Sequence, residues 1–526
     1  MPSPLSQLLS AITEAKKPHE PPPEAEVIRV SETVSVAASV YESLRNTLEY
    51  DEEHLLRRNA IRRILKRRLD EEGDATALSL AMLRELIWAR YLPNGKIHEK
   101  MIGSVASLLS KHRLLFHAAR KGTNTDVEEA WVLDVASTEI ERLLHPSAAD
   151  EELASLAYSE LKRRMKWMSD QIAEQDRDLQ LYIAVHRSVL KSNTATLRYR
   201  LLTLYYPSFA AALADQSVVR EVSGRLSQVI SSIERQIFHP NADYFFRLIR
   251  RHAVVFHIIR DLADEEGGTL LASIEEKKID VLTHAIEQAA AKRYTNLRSR
   301  ITRSVVRAVL FLLFTKMILA LVIELPYEQF ILKTTNWTPL LVNIFVHPLL
   351  LGIIGASAGI PEKKNTKRIV EEVLNVFGLE KEFVVTFRLR DLLKKGFISY
   401  VFRALYAVLF VFVGAFLISI LYQLQFNSLS IAFFVFFLTL VTFFGYKIRE
   451  TRKEVMVLET GGGVLGTLSD IFILPVLRAG RWIALRAPRV NVFLFFFDFI
   501  VEAPFKAAIG MIEGWLAYLR EKKDEV

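Results

Sequence analysis

Four long apolar segments in the second half of the chain constrain its fold more than any other feature. They cover residues 304–325, 337–360, 398–423 and 429–446. A helix needs about 20 apolar residues to cross the hydrocarbon core of a bilayer. Lipid offers the backbone no hydrogen-bond partner, so each immersed segment has to be helical. The sequence therefore predicts a polytopic bundle of four transmembrane helices, with the lipid bilayer as its surroundings.

Basic residues alternate along the connections between these segments. The stretch before the first segment, the second loop (361–397) and the stretch after the fourth segment are rich in lysine and arginine. The first loop (326–336) carries one lysine, Lys333, and the third loop (423–428) carries no charge. The positive-inside rule then predicts that both termini are cytoplasmic. We expect a multi-pass protein of the inner or plasma membrane.

Composition divides the chain into four regions. Residues 1–25 are rich in proline and charge and are predicted to be disordered. Residues 26–300 show helical periodicity and are predicted to form a cytoplasmic all-helical domain. Residues 301–448 hold the membrane helices. Residues 449–526 are apolar but interrupted, which favours interfacial or re-entrant helices over a fifth and a sixth span.

Short motifs predict how the helices of the cytoplasmic domain are arranged. Proline followed by a polar residue recurs in the motifs LPNG, HPSA, YPSF and HPNA, at residues 92–95, 145–148, 206–209 and 239–242. Proline ends one helix and the polar residue caps the next. The segment 140–150 also resembles 233–243, and 108–120 resembles 248–260. We interpret these repeats as stacked helical hairpins, loosely solenoid-like, a surface that suits a protein partner.

Several kinds of chemistry have no support in the sequence. The chain contains no cysteine, which excludes disulfides, thiolate catalysis and cysteine metal sites. No Walker, dinucleotide or nucleophile-elbow motif is present. His112 and His117, like His252 and His257, are five residues apart and so lie on different helix faces, unlike zinc ligands. We predict no catalytic, cofactor or metal site.

A lysine in the first apolar segment is the strongest candidate for a functional residue. Lys316 lies near the middle of that segment, where a charge costs about 2.5–3.5 kcal/mol. In the second segment Asn343 and His347 are four residues apart, on one helix face and at a similar depth. Glu324 lies two turns beyond the lysine. We expect these four residues to form an intramembrane polar cluster.

The predicted cluster has three interpretations. It is a proton- or ion-handling site, a polar clasp between two helices, or the sign of a shifted span whose lysine reaches the interface. The third and fourth segments bring no ionisable residue to their centres. Transport sites usually draw on several helices and on broken segments. This comparison favours the two structural interpretations over the functional one.

Three further segments carry weaker signals. Gly355 and Gly359 form a small-residue face for close helix packing, within the chain or in a homo-oligomer. Residues 52–72 predict a basic amphipathic helix. We rank a helix packed on the domain first and a lipid-binding helix second. Because this stretch has no aromatic residues to stack on bases, we expect no nucleic acid. Residues 383–390 alternate like a strand, but a strand without a partner is unstable, so a surface helix is an equal alternative.

Three functions remain open from the sequence. The first is a membrane-anchored helical scaffold or interaction protein that binds a cytoplasmic protein. The second is a small-solute or ion transporter that uses Lys316, Asn343 and His347. The third is an enzyme that acts on lipid, with carboxylates converging at the level of residues 450–510. We rank the scaffold first, because stacked helical hairpins commonly bind other proteins, the transporter second and the enzyme third.

Overall fold

The computed structural model describes residues 3–17, 26–30, 53–69, 73–122, 124–167, 172–211, 217–334, 336–357, 359, 362–380, 385–387, 397–457 and 473–483. Within these residues the chain is all-α apart from two strands of three residues each, which confirms the predicted class. Two compact units emerge from the contacts. The first comprises residues up to 158 together with 174–246, and the second comprises 159–173 with 247–489.

The first unit is built from short to medium helices with a shared apolar core. In chain order they are α1 Pro4–Lys16, α2 Glu53–Arg68, α3 Ala75–Trp88, α4 Lys100–Arg120, α5 Thr125–Leu144, α6 Ala148–Arg164, α7 Glu174–Ser188, α8 Thr194–Tyr205, α9 Pro207–Ala211, α10 Ser217–Gly224, α11 Leu226–Ile237 and α12 Ala242–Glu266. The helices α6 and α12 each run on into the second unit.

The helix α5 is the centre of this unit. It packs against α2, α4, α8 and α11. Its residues Trp131, Val132 and Ile140 are completely enclosed and belong to the main core. In a solenoid each repeat touches only its neighbours. The described contacts do not show such an array, because helices distant in sequence meet on α5.

The recurring prolines lie at helix boundaries, as predicted. Pro146 follows the end of α5, Pro207 begins α9, and Pro240 lies between α11 and α12. One polar partner acts differently from the prediction. Asn94 caps no helix; its side chain accepts a hydrogen bond from Val30 N and donates one to Val30 O, both at 3.0 Å. It therefore fastens the segment 26–30 to the turn after α3.

The N-terminal region needs a correction. Residues 1–25 were predicted to be disordered, but Pro4–Lys16 forms a helix. Ser3 caps it by accepting a hydrogen bond from Ser6 N at 3.2 Å. Its apolar face, Leu8, Leu9 and Ile12, is buried. The prediction gave weight to proline and charge at 17–26 and overlooked this amphipathic stripe; residues 18–25 themselves lie outside the described residues.

The second unit contains the apolar helices. These are α13 Gly268–Glu275, α14 Ile279–Leu319, α15 Trp337–Ala356, α16 Glu362–Val376, α17 Phe397–Gln423 and α18 Ser428–Thr451, followed by a helix over 473–483. Among the described helices, four have the length and hydropathy to cross a membrane: α14 with its continuation, α15, α17 and α18. The chain is a membrane protein with four candidate spanning helices.

The helix α14 is longer at both ends than the predicted first span. It starts at Ile279, passes residue 300 without a break, and continues after Leu319 as wide π-helical turns over Ala320–Glu324 and Tyr327–Leu332. The predicted loop 326–336 is therefore mostly helical. Pro326 and the polar residues after it suggested a loop; a wider π-turn accommodates them.

Two short strands pair across the second unit. β1 Met165–Trp167 and β2 Val385–Phe387 are parallel, with Met165 opposite Val385 and Trp167 opposite Phe387. The sequence analysis predicted only helices before residue 300 and found no partner for the alternating segment 383–390. Both expectations were wrong for these six residues, because each strand supplies the hydrogen bonds that the other lacks.

Two apolar helices differ in how much protein surrounds them. In the apolar 18-residue stretch of α17, only 6 % is buried inside the protein, and the side chains of Leu405, Val408 and Phe412 are exposed. The helix 473–483 instead touches α18, since a methyl group added at Gly480 would lie 2.0 Å from Thr439 O. Interfacial helices over 449–526 stay a prediction, and residues 458–472 and 484–526 lie outside the described chain.

Candidate functional site

A column of polar side chains lies between α14, α15 and α18. Helix α15 packs along both of the others. The column consists of Lys316, Glu324 and Glu328 from α14 and its continuation, Asn343 and His347 from α15, and Ser430 from α18. Each of these side chains belongs to a residue no more than 3 % exposed. We call this set the polar column.

The predicted residues Lys316, Asn343 and Glu324 meet directly. The Lys316 ammonium donates a hydrogen bond to Asn343 Oδ1. Asn343 Nδ2 donates in turn to Glu324 Oε1 at 2.6 Å. The Lys316 ammonium also lies 4.2 Å from the centroid of the Phe437 ring, a cation–π contact from α18. The opposite charges are thus joined through one amide group.

The fourth membrane helix completes the coordination of the carboxylates. Ser430 Oγ donates to the second oxygen of Glu324 at 3.3 Å. One turn further on, Glu328 Oε1 accepts from Asn427 Nδ2 at 2.8 Å and Oε2 accepts from Asn336 N at 3.1 Å. Both oxygens of each carboxylate therefore have a donor, as a buried charge requires.

His347 belongs to the column but does not contact Lys316 by a hydrogen bond. Its Nε2 lies 2.9 Å from Phe434 O, and its Nδ1 lies 3.2 Å from Asn343 O. Both neighbours are acceptors. A neutral imidazole has one N–H and satisfies one of them, whereas a protonated ring donates to both. In the neutral form, therefore, one of the two carbonyls receives no N–H from this ring.

The sequence missed three members of the site and its extension. Glu328 was assigned to a loop, although it follows Glu324 by four residues and so shares its helix face. Ser430 and Phe437 lie in an apolar segment, where a single hydroxyl or ring carries no signal. The fourth span was predicted to add no ionisable residue at its centre, and what it contributes to the column is a hydroxyl, a ring and a backbone carbonyl.

Close helix contacts lie beyond the column, toward the basic end of the bundle. A methyl group at Gly355 would lie 2.6 Å from the Val305 side chain, and one at Gly445 would lie 2.8 Å from Ile354. The packing role predicted for Gly355 agrees with this contact. Gly359 was wrongly paired with it: it lies after α15 has ended, and a methyl group there would meet nothing within 4 Å.

The basic end itself is tied together by polar contacts. Arg298 pairs with Glu362 at 2.9 Å, and Arg300 pairs with Glu454 at 2.5 Å. The exposed Arg449 donates to Ser357 Oγ at 2.7 Å. At this end therefore lie the middle of α14, around residues 298–300, the end of α15, the start of α16 and the end of α18, together with these arginines.

The first unit holds a second buried charge cluster that the sequence did not predict. Glu139 accepts from Lys111 Nζ at 2.7 Å, and its other oxygen lies 2.6 Å from His112 Nε2. Lys111 also donates to Phe209 O at 2.5 Å. Burial raises the pKa of Glu139, but His112 and Lys111 outweigh it and hold that pKa below its usual value. The cluster is enclosed, which suits a structural role.

A third cluster surrounds Glu151. Its carboxylate accepts from Arg200 at 2.7 Å and from Arg142 at 2.6 Å. Burial raises its pKa, but the two guanidinium groups outweigh burial and lower the pKa to about 2. Burial and the same positive charges lower the pKa of the nearby His186 to about 3. His186 is therefore neutral in the folded protein at neutral pH.

The basic helix α2 directs its arginines inward. Arg57 pairs with Glu141 at 2.8 Å, and Arg62 pairs with Asp134 at 2.7 Å. Asp134 also accepts from Arg198 at 2.6 Å. These contacts agree with the interpretation of residues 52–72 as a packed helix. They go further than that interpretation, because part of the basic face is also buried, against α5.

The comparisons with known proteins bring no further information on the site. No family model matches the chain, and neither the curated proteins nor the solved structures contain a match. Within the described part of the chain, no three histidine or acidic residues are placed to hold a metal ion together. Two of the histidines weighed earlier instead face single carboxylates, His112 at Glu139 and His252 at Glu372.

Proposed function

We propose that this chain is a multi-pass transporter that moves protons or a small cation across the inner or plasma membrane by way of the polar column. The observation that carries the proposal is the connection of Lys316 to Glu324 through Asn343 inside an apolar bundle. The column also draws on three helices and on a π-helical segment, features typical of transport sites.

The energetic cost of the column supports a functional role. A charged group at the bilayer centre costs about 2.5–3.5 kcal/mol on insertion scales. A hydrogen bond between membrane helices contributes only about 0.6–2 kcal/mol. The column buries one ammonium and two carboxylates. A clasp made of neutral amides and hydroxyls would hold the helices at a lower cost, so the charges are better explained by function.

The proposed orientation places both termini and the helical first unit in the cytoplasm. The positive-inside rule predicts that the arginine-rich end of a bundle faces that side. Arg298, Arg300 and Arg449 gather at one end with the contacts given above. The opposite end, with the connections 333–336 and 424–427, is proposed to face outward.

Flux measurements test the proposal. The full chain is reconstituted in sealed liposomes, and proton or monovalent-cation movement is followed with a pH-sensitive dye after a gradient is imposed. Lys316→Met and Asn343→Leu are expected to abolish the flux. Lys333→Met is the matched control, because that lysine is exposed in the outer connection and outside the column. Flux that survives Lys316→Met unchanged would reject the transporter.

A membrane-anchored helical scaffold is the second candidate, and the closure of the column favours it. Every side chain of the column is enclosed and hydrogen-bonded within the chain, as a static clasp would be. A scaffold predicts no flux in the wild type and a Lys316→Met variant that loses only stability. It also predicts a cytoplasmic protein partner, or self-association, that the purified full chain in nanodiscs binds with a measurable Kd.

The lipid-acting enzyme has less support. Its predicted site lies at 450–510, where residues 458–472 and 484–510 are outside the described chain. It stays a prediction, and hydrolysis or transfer assays with bilayer lipids would test it.

A further inference from the structure

The polar column has one end near solvent. Glu328 accepts a hydrogen bond from the backbone of Asn336, which is exposed, and another from Asn427, which is half-buried. Glu324 lies one helical turn further in, and Lys316 lies beyond it. A single hydrogen bond thus separates the outermost carboxylate of the column from a residue at the surface.

The other end of the column is sealed by apolar packing. From Lys316 to Arg307 the helix runs nine residues, or about 14 Å, without a charged side chain. Leu351 is buried at this level. The glycine contacts of Gly355 with Val305 and of Gly445 with Ile354 leave no room between the helices. No described side chain of α15 or α18 carries a charge between the level of His347 and the basic end.

We infer that the polar column, in the conformation described, is open to protons as far as Glu324 from the end formed by 333–334, 336 and 424–427, and is closed at the basic end. This inference rests on the proposed transporter and names its substrate as the proton. A hydronium ion at this end gives its proton to the Glu328 carboxylate and is left as water. The Glu328 carboxyl then gives the proton to the Glu324 carboxylate and returns to its ionised form. At Glu324 the proton cancels the negative charge that balances the Lys316 ammonium.

The chemistry of the column suits a proton, because Glu328 and Glu324 are carboxylates. Glu324 is held by direct hydrogen bonds to Asn343 and Ser430 of 2.6 and 3.3 Å. The titratable groups that face Lys316 are Glu324 and Glu328 on its own helix and His347 on α15. From α18 the Lys316 ammonium meets the Phe437 ring, and no charged group among the described residues of that helix contacts it.

Single-cysteine accessibility tests the inference, and the chain suits it because it has no native cysteine. Cysteine replaces Asn343 or Ser430 in the column, or Leu351 in the seal, in the full chain in sealed liposomes. Ag⁺, a small thiol-reactive cation, is added to one side at a time. The protein is then denatured and labelled with a fluorescent maleimide, and lost labelling reports which thiols Ag⁺ reached.

Two exposed positions provide the controls for sidedness. Thr334→Cys lies at the outer connection, and Ser357→Cys lies at the basic end. We expect Ag⁺ to protect Asn343→Cys and Ser430→Cys only when added on the side that protects Thr334→Cys, and to protect Leu351→Cys from neither side. Protection of the column thiols from the Ser357 side, or from neither side, would overturn the inference.

The result separates the inference from the proposed function. If the column thiols react from the outer side but wild-type liposomes show no flux, the inferred opening stands and the transporter fails. If flux is found and the thiols react from the basic side, the transporter stands and the column opens at the basic end instead.

Discussion

Asn343 lies between Lys316 and Glu324 and bonds to both: its side-chain oxygen accepts from the ammonium, and its nitrogen donates to the carboxylate at 2.6 Å. An amide offers an acceptor to a cation and a donor to an anion at once, from two different atoms. The charges of Lys316 and Glu324 are therefore coupled through the amide without direct contact. A loss of charge at either residue changes the energy of the other.

Removing the ammonium alone should destabilise the bundle strongly. Lys316→Met leaves Glu324 buried without its counter-charge, and breaking a buried pair in this way costs about 3–5 kcal/mol. The double variant Lys316→Met/Glu324→Gln removes both charges and should recover much of that loss. Thermal unfolding in nanodiscs, followed by tryptophan emission, measures the difference.

The control for this pair is Met317→Leu, next to the lysine but outward-facing. It should unfold like the wild type. A double variant that is less stable than Lys316→Met would show that the two charges are not coupled.

A larger side chain at position 355 should push the helices α14 and α15 apart. The added methyl group of Gly355→Ala would lie 2.6 Å from the Val305 side chain, so α14 or α15 has to shift. Overpacking of this kind costs about 1–3 kcal/mol. Gly359→Ala is the matched control and should be neutral, because nothing lies within 4 Å of the new group. Equal melting temperatures for the two variants would contradict the packing described for α14 and α15.

The enclosed carboxylate of the first unit should matter more than a surface one. Glu139→Gln leaves the Lys111 ammonium buried without its partner and should cost about 3–5 kcal/mol. Glu129→Gln removes a carboxylate from a partly exposed pair with Arg120 and should cost no more than about 1 kcal/mol. Urea unfolding of the full chain in nanodiscs compares them. Similar losses would indicate that Glu139 is neutralised or solvated.

His186 should make stability fall as the pH drops below neutrality. Its pKa is about 3 in the folded protein, against the 6.5 that is usual for a histidine. Because the folded pKa is the lower one, its stabilising contribution is complete above pH 6.5 and declines as the pH falls toward 3. The loss approaches about 1.4 kcal/mol per pH unit.

Changes in stability between pH 6.5 and 4.5 report on this histidine and not on Glu151, whose own contribution is lost only below 4.5, the usual pKa of its carboxyl group. His186→Leu should flatten the melting temperature over that range. A variant that melts with the same pH slope as the wild type would assign the slope to another group.

The membrane helices were predictable because lipid offers the backbone no hydrogen-bond partner, so an immersed segment has to be helical. The predicted spans 398–423 and 429–446 fall on α17 and α18, which run Phe397–Gln423 and Ser428–Thr451. The continuation of α14 was missed because Pro326 interrupts the apolar pattern. Its helical form depends on partners elsewhere, such as Asn427 on Glu328, almost a hundred residues apart.

The candidate site was predictable only where charge and depth coincide. Lys316 and Asn343 stand out because polar groups are costly in lipid, and matching depths on two helices suggested their contact. Ser430 carries no such signal. The cluster of Lys111 and Glu139 was hidden for a different reason: charged residues are common in soluble helices, and nothing in the local pattern marks the two that are buried.

The parallel pair of β1 and β2 constrains the order of events during synthesis. The strand Met165–Trp167 leaves the ribosome before any membrane helix has been made, and its partner Val385–Phe387 follows after α14 and α15. While about two hundred further residues are translated, the first strand has no partner strand, because a non-local pair forms only after both strands have been made. Assembly of the second unit is therefore a late step, completed only when the nascent chain has passed residue 387.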